Sequence, residues 1–264
     1  FAQDLGSRAI NQPTATFQGL TIPSDIDHFG DNDEGWLRRR AISHAIDRKA
    51  IASTVLADTV TPAHDFTSSM LPGWTDTIAG VEALDHDVAQ AKDLWTQADA
   101  IDPYTGAFTI TYNADGGHGP WIDAICEQIT ETLGINAHGI PIASYDSFRA
   151  QVTDHLVGGA FRMRWQADYP SLYNFLGPLY ESYGAGNDGG FTAPEVDQLL
   201  AQAMSATNID DSNAAMIAVQ QELLKRLPVI PLWYSNVTGG VSSSVNNVVF
   251  GWNSVPLYYS VVKN

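Results

Sequence analysis

Between residues 85 and 165 the chain alternates segments of helical and strand period, and that order constrains the fold more than any other feature. Asp85 or Asp87 caps a helix through Ala98, with Val88, Ala91, Leu94 and Trp95 turned inward. Phe108–Tyr112 reads as a strand. Gly116-Gly117-His118-Gly119 opens a helix from Pro120 to about Leu133, which Gly134 ends. A strand over 135–142, a short helix from Ser144 or Asp146, and a strand over 159–165 follow. A β-α-β-α-β order predicts an α/β layer with some parallel pairing, because parallel strands need a crossover that a helix supplies.

The flanking segments are consistent with a larger α/β unit. Thr14–Leu20 alternates as a strand, and 25–34 is an acidic stretch whose spacing fails the calcium-loop pattern. A helix over 35–45 carries Trp36, Leu37, Ala41, Ile42 and Ala45 as its apolar face. Arg38, Arg39 and Arg40 fall between these, a run expected on a solvated or salt-bridged face. Asp47 is placed to cap a second helix through Ile51, Val55 and Leu56, and 62–74 is a Pro/Gly-marked loop. Thr192-Ala193-Pro194-Glu195 has the form of a capping box ahead of Val196, Leu199, Leu200 and Ala203. Asp210 or Asp211 starts a helix to Leu227, and Pro228 and Pro231 bracket a strand over 229–234. From Thr238 to Val262 there is no charged residue, a shift that marks a separate structural unit.

Charge and composition exclude several classes. Acidic residues outnumber basic ones 30 to 13, a formal net charge of −17 that repels phosphate backbones, so no nucleic-acid partner is expected. The one cysteine, Cys126, rules out an internal disulfide and lies on an apolar helical stripe, as a buried inert thiol would. The seven histidines have no metal-site spacing, no G-x-S-x-G elbow occurs, and Gly116–Gly119 lacks phosphate-loop spacing. No cofactor, no metal and no catalytic residue is expected. The chain starts at Phe1 without a leader, as a mature secreted protein or an excised fragment would.

Arg162-Met163-Arg164-Trp165-Gln166-Ala167-Asp168-Tyr169-Pro170 stands apart. Asp168 sits between a Trp and a Tyr, just past a strand end, with no catalytic partner nearby. A carboxylate among aromatics suits recognition of a cation such as an amine. The residues alone equally allow Asp168 to cap a helix through Tyr173, Phe175 and Leu176.

Several segments, taken in order, resemble the solute-binding proteins of oligopeptide and dipeptide ABC importers, the extracellular solute-binding proteins of family 5. Arg38–Ile51 is similar to the family's R-x-A helix. Pro62-Ala63 and Pro72-Gly73 are similar to its small-residue loop, and Trp165–Leu176 to its W-x-A-D-Y segment. Asn187 with Pro194–Leu200 and Leu227–Leu232 are similar to its closing motifs. Pro170-Ser171-Leu172 and Gln166 depart from the common pattern, which often has a second acidic residue and sometimes a Cys there.

The resemblance implies an α/β fold: a periplasmic-binding-protein-like lobe with a mixed sheet flanked by helices. It implies that 1–24 is a linker or crossover strand from a missing first lobe, 25–237 the second ligand-binding lobe, and 238–264 a segment returning to the first. It implies capture of short peptides outside the membrane, lipid-anchored or periplasmic, for delivery to permease subunits. Asp168 would hold the peptide's α-ammonium, Trp165, Tyr169 and Gln166 would flank it, and Arg162 would hold a carboxylate or buttress the site. An oligosaccharide or other solute on the same scaffold, and a secreted hydrolase, are the competing readings.

Overall fold

A computed structural model describes residues 5–264. Six strands form one mixed sheet: β1 (Ala9–Thr21), β2 (Val60–Pro62), β3 (Ala107–Asn113), β4 (Asn136–Ile142), β5 (Ala160–Gln166) and β6 (Val229–Gly240), in the order β2-β6-β1-β5-β3-β4. β3 pairs in parallel with both β4 and β5, as the sequence order requires, while β1 runs antiparallel to β5 and β6. The segment expected to be a crossover thus supplies a central strand.

Helices cover both faces. On one lie α1 (Asp33–Ala45), α2 (Arg48–Thr54), α3 (Val88–Ile101) and α4 (Gly119–Leu133), whose apolar sides meet Leu20, Ile22, Ile110 and Leu232. On the other lie α6 (Tyr173–Tyr180), α7 (Pro194–Ser205) and α8 (Ile209–Arg226), packed over Ala15, Phe17 and Tyr234. The period of two in β1 sends Ala15 and Phe17 to one core and Leu20 and Ile22 to the other. A short α5 (Tyr145–Thr153) packs Phe148 against Phe161. None of the described helices is long and apolar enough to cross a membrane.

Local chemistry explains the helix ends. Asp47, Asp87 and Ser144 accept the backbone N–H three residues on, at 2.9, 2.9 and 3.3 Å. Gly134 closes α4 at φ +71°, where a side chain would be strained. Two expectations are corrected. The residue before α7 is Ala193, with no side-chain cap, so the Thr192 box does not form; Pro194, whose missing N–H costs nothing there, starts the helix instead. For α8 the cap is Asn208, which accepts from the Asp211 N–H at 2.9 Å, and Asp210 and Asp211 occupy the first turn.

The arginine run is corrected in part: Arg38 is salt-bridged as expected but buried, Arg40 is half-buried, and Arg39 is buried among carbonyls. Arg38 is fully buried, stacked on Trp95 with its guanidinium 4.5 Å from the ring centroid, and bonded to Glu34 and Asp99. Arg39 is 3% exposed and donates only to backbone carbonyls: Phe29, Ile22, Pro23 and Leu227. Arg48 donates to the carbonyls of Pro231, Leu84, Ser43 and Ile46 and to the Ser43 hydroxyl oxygen. Burial lowers both guanidinium pKa values to about 10. The N-terminus of α1 presses on the preceding loop. A Cβ on Gly35 would lie 1.9 Å from the Gly30 carbonyl oxygen, so only glycine allows the approach.

A second buried network fixes the loop after β2. The Tyr234 hydroxyl accepts the N–H groups of His64 and Asp65 at 3.0 Å each and donates to the Asp65 carboxylate at 2.7 Å. Desolvation raises the Asp65 pKa. Cys126 is buried, and burial pushes its thiol up to about 12.

Beyond β6 the tail forms a small two-stranded sheet of β7 (Val245–Asn246) and β8 (Val262–Lys263). The Ala15 N–H donates to Trp252 O at 2.9 Å, tying this tail to β1. Tyr258 and Tyr259 are 75% and 87% exposed.

Arg39→Ala should destabilise the protein by at least about 3 kcal/mol, since several buried carbonyls lose a charged donor together. Arg39→Lys should recover little, because an ammonium lacks the planar fork. Urea denaturation measures both; a loss under about 1 kcal/mol for Arg39→Ala would mean those carbonyls find other donors.

Candidate functional site

Where parallel strands end, the chain must turn into a helix or loop, and side chains at those ends face open space. Here the ends of β3 and β5 meet the start of α4, one side of α5 and the loop before α7. They enclose an open depression of about 710 Å³. Of the five residues expected to form a site, it collects three: Arg162, Trp165 and Gln166. Asp168 and Tyr169 lie outside it, exposed on the bend that follows β5. The cap before α6 is Leu172, with no side-chain bond, so Asp168 is not its cap. The Asp168 N–H donates to Asn174 Oδ1 at 2.8 Å, which fixes the bend and leaves the carboxylate without a partner among the described residues.

Arg162 is a built-in wall of the depression. It is 6% exposed, its Nε donates to Asn113 Oδ1 at 2.7 Å, and its guanidinium lies 5.1 Å from the Phe148 ring centroid and 5.5 Å from that of Tyr145. Desolvation lowers its pKa, and the charges of Arg164 and Arg149 add to that. Asn113 also bonds Asp115, whose other oxygen accepts the Tyr145 N–H at 3.0 Å. Those bonds, the Asn113 one first, hold the Asp115 carboxyl below its usual value. Trp165 is half-buried, with its indole N–H buried and unpaired. Its ring would be 3.1 Å from a Cβ at Gly186, so that glycine lets the loop before α7 lie on the indole.

Arg149 on α5 grips Asp188 of that loop through two bonds, 2.7 and 3.2 Å, and so joins two sides of the depression. The loop is held from within by Asn187, which donates to Glu181 O and Phe191 O and accepts from the Phe191 N–H. His118, at the start of α4, accepts from the Trp121 indole at 3.3 Å through Nδ1, which is therefore unprotonated. Desolvation, then the positive charge of Arg162, lowers its pKa to about 4.

Sequence reasoning missed Asn113, Asp115, His118, Tyr145, Arg149 and Asp188. Position was the available clue: Asn113 ends β3, and Asp115 and His118 stand in the β-to-α turn that the spacing had reduced to a tight connection. The arrangement holds fixed donors, cations and an aromatic ring. Among the described residues that line it, none is a hydroxyl or thiol hydrogen-bonded to a base.

A separate trio, His28, Glu34 and Asp102, brings its ligand-type atoms within 4.8 Å of one another. Arg38 Nε and His28 Nδ1 both bond the same Glu34 oxygen at 2.8 Å, so the trio is satisfied as an ion-pair cluster.

His118 gives a pH test. Its folded-state pKa lies below the ordinary value of 6.5, so the unfolded chain binds a proton more readily. The stability associated with the neutral ring is complete above about pH 6.5 and is lost as pH falls towards 4. His118→Asn, which keeps an acceptor for Trp121, should show a shallower fall in Tm over that window. Parallel curves for the two proteins would contradict the assignment.

The sequence family described as bacterial extracellular solute-binding proteins, family 5 Middle, matches residues 8–187. The chain is 27% identical over 203 residues to the periplasmic murein peptide-binding protein MppA of Escherichia coli (strain K12), covering 75% of this chain and 37% of that one. It is 24% identical over 220 residues to the oligopeptide-binding protein OppA of Bacillus subtilis (strain 168), covering 80% and 39%. The chain thus matches well under half the length of these curated relatives. The solved unliganded open form of the MppA periplasmic murein tripeptide-binding protein superposes with a TM-score of 0.84 at 21% identity, over 99% of this chain and 50% of that one. The fold is therefore that of a periplasmic-binding-protein-like lobe, and the chain belongs to the bacterial extracellular solute-binding proteins of family 5.

Proposed function

We propose that this chain is the second ligand-binding lobe of the solute-binding component of an ABC importer, which captures short peptides outside the membrane and hands them to permease subunits. The observation that carries the reading is the depression at the ends of β3 and β5, open to solvent and lined by Arg162, Trp165 and Gln166. Fixed hydrogen-bond donors and an aromatic wall suit a ligand bound without chemistry. The relatives named above are peptide-binding proteins, which supports the same ligand class here.

In this reading 25–237 is the lobe, 1–24 is the crossover from a first lobe whose strand β1 enters the sheet of this one, and 238–264 returns to the first lobe. The exposed apolar side chains of the tail, Tyr258 and Tyr259 among them, then have a surface to cover them. Asp168 and Tyr169 stand on the bend beside the depression, and the first lobe would close over them. Asp168 takes the peptide's α-ammonium: its carboxylate is exposed, and its bend is held by Asn174. Trp165 and Tyr169 flank the ligand and Gln166 offers it an amide. The protein works at the outer face of the membrane, anchored there by lipid, or in the periplasm.

Calorimetry on the full-length protein tests this with a short-peptide mixture and the same peptides N-acetylated. Binding should collapse on acetylation, and Asp168→Asn should match the loss, about 2–5 kcal/mol for one partner of an enclosed ion pair. Binding indifferent to acetylation would remove Asp168 from the site. Binding of oligosaccharides in place of peptides would move the protein to another solute class.

A further inference from the structure

Among the described residues β4 is the last strand of the sheet, with no strand on its outer side. A strand's backbone groups alternate between its two sides, and one bond fixes the phase here. The Ala137 N–H donates to Thr130 Oγ1 of α4 at 3.2 Å, so it takes no part in the ladder with β3. Ala137, Gly139 and Pro141 therefore turn their backbone groups outward. Pro141 has no N–H, and on that side none is missed. The outer side thus presents three carbonyls and one free N–H, that of Gly139.

α4 lies close along this edge. A Cβ on Gly139 would stand 2.9 Å from Ile122 Cγ2 of α4, so glycine permits the approach. Helix and strand together form a groove of about 580 Å³. Asp123, Glu127 and Glu131 line it, four residues apart on α4 and all exposed. None of the three has a hydrogen bond or ion pair among the described residues, and no lysine or arginine lines the groove. Like charges at that spacing weaken a helix, so a cation arriving from outside relieves them.

The two rows share a repeat. Residues four apart on a helix are separated by about 6 Å along its axis. Alternate residues of a strand, which share a face, are separated by about 6.8 Å. α4 joins β3 to β4, which are parallel, so it runs back along β4. A strand laid on the open edge would set every second side chain against successive carboxylates.

We propose that the β4 edge and the acidic row of α4 form a docking surface for an extended segment of a partner protein, with basic residues at alternate positions, bound as an added strand. The segment's N–H groups donate to the carbonyls of Ala137, Gly139 and Pro141, and one of its carbonyls accepts the Gly139 N–H. Its lysines or arginines meet Asp123, Glu127 and Glu131. The groove shares no lining residue with the depression, so the inference does not rest on the peptide reading.

The test uses the full-length protein and two heptapeptides of one composition, acetylated and amidated at their ends. One alternates Thr and Arg; the other has its arginines adjacent. The alternating peptide should bind about tenfold more tightly and slow hydrogen exchange at the Gly139 amide. Neutralising the row together (Asp123→Asn, Glu127→Gln, Glu131→Gln) should weaken that binding by about tenfold, since each exposed pair contributes modestly. The same variant should keep or raise the melting temperature, because it removes like-charge repulsion. A control that removes equal charge from exposed positions elsewhere (Asp76→Asn, Glu82→Gln, Asp210→Asn) should leave binding nearly unchanged.

If the two peptides bind alike, or the control weakens binding as much as the row does, only net charge is at work and the inference fails. Binding that leaves Gly139 exchange unaltered would rule out an added strand. If neither peptide binds, the surface takes no basic strand. Each of these failures leaves the peptide reading standing, because that reading concerns the depression.

Discussion

The packing of α1 on the sheet depends on a buried guanidinium that has no carboxylate partner among the described residues. Arg39 ties α1 to three segments: the end of β1 at Ile22 and Pro23, the acidic loop at Phe29, and, 188 residues away, the close of α8 at Leu227. Leu227 is itself in the left-handed region, φ +45°, and its carbonyl is aimed at Arg39. Carbonyls at strand and helix ends have no partner in their own element, and a planar fork of five donors satisfies several at once. Arg48 repeats the device one helix later, on carbonyls of β6 and of the turn before α3. The charge is expensive to bury, and the lowered pKa of each arginine is the mark of that cost. Four or five charge-assisted bonds apiece offset it.

Through these arginines α1 and α2 are fixed to β1 and β6, the middle of the sheet. β5 then pairs with β1 from Thr16 to Thr21, and this register decides which β5 side chains reach the depression. A shift of one residue would exchange the faces of Arg162 and Arg164 with those of Met163 and Trp165 and so rebuild the wall of the depression, which all four line. Rigidity at the centre thus becomes geometry at the rim. The rim has ties of its own in Asn187 and the Arg149–Asp188 pair, and it carries positive charge on a strongly acidic chain. Such a local reversal of sign draws anionic groups to one place and repels them elsewhere.

Much of this was legible in the residues. The strands and helices over 85–165 fell where period and caps put them, since Asp87, Ser144 and Gly134 act on their immediate neighbours. The family pattern placed Arg162, Trp165 and Gln166 together at a strand end, and the depression holds all three. Within the arginine run Arg38 is paired as expected, while Arg39 departs, because the rule that puts charge on a solvated or salt-bridged face knows nothing of orphan carbonyls. Those carbonyls belong to residues as distant as Leu227.

The sequence by itself determined the alternation of elements, the parallel pairing it demands and the family, because each depends on local spacing or on motifs in order. Only the tertiary structure decided which charges are buried, which are paired and which are free. It set Arg39 among backbone carbonyls, spent Arg149 on Asp188, turned Arg162 into a wall and left Arg164 open. The physical reason is that the state of an ionisable side chain depends on groups within a few ångströms, and folding brings those groups from anywhere in the chain.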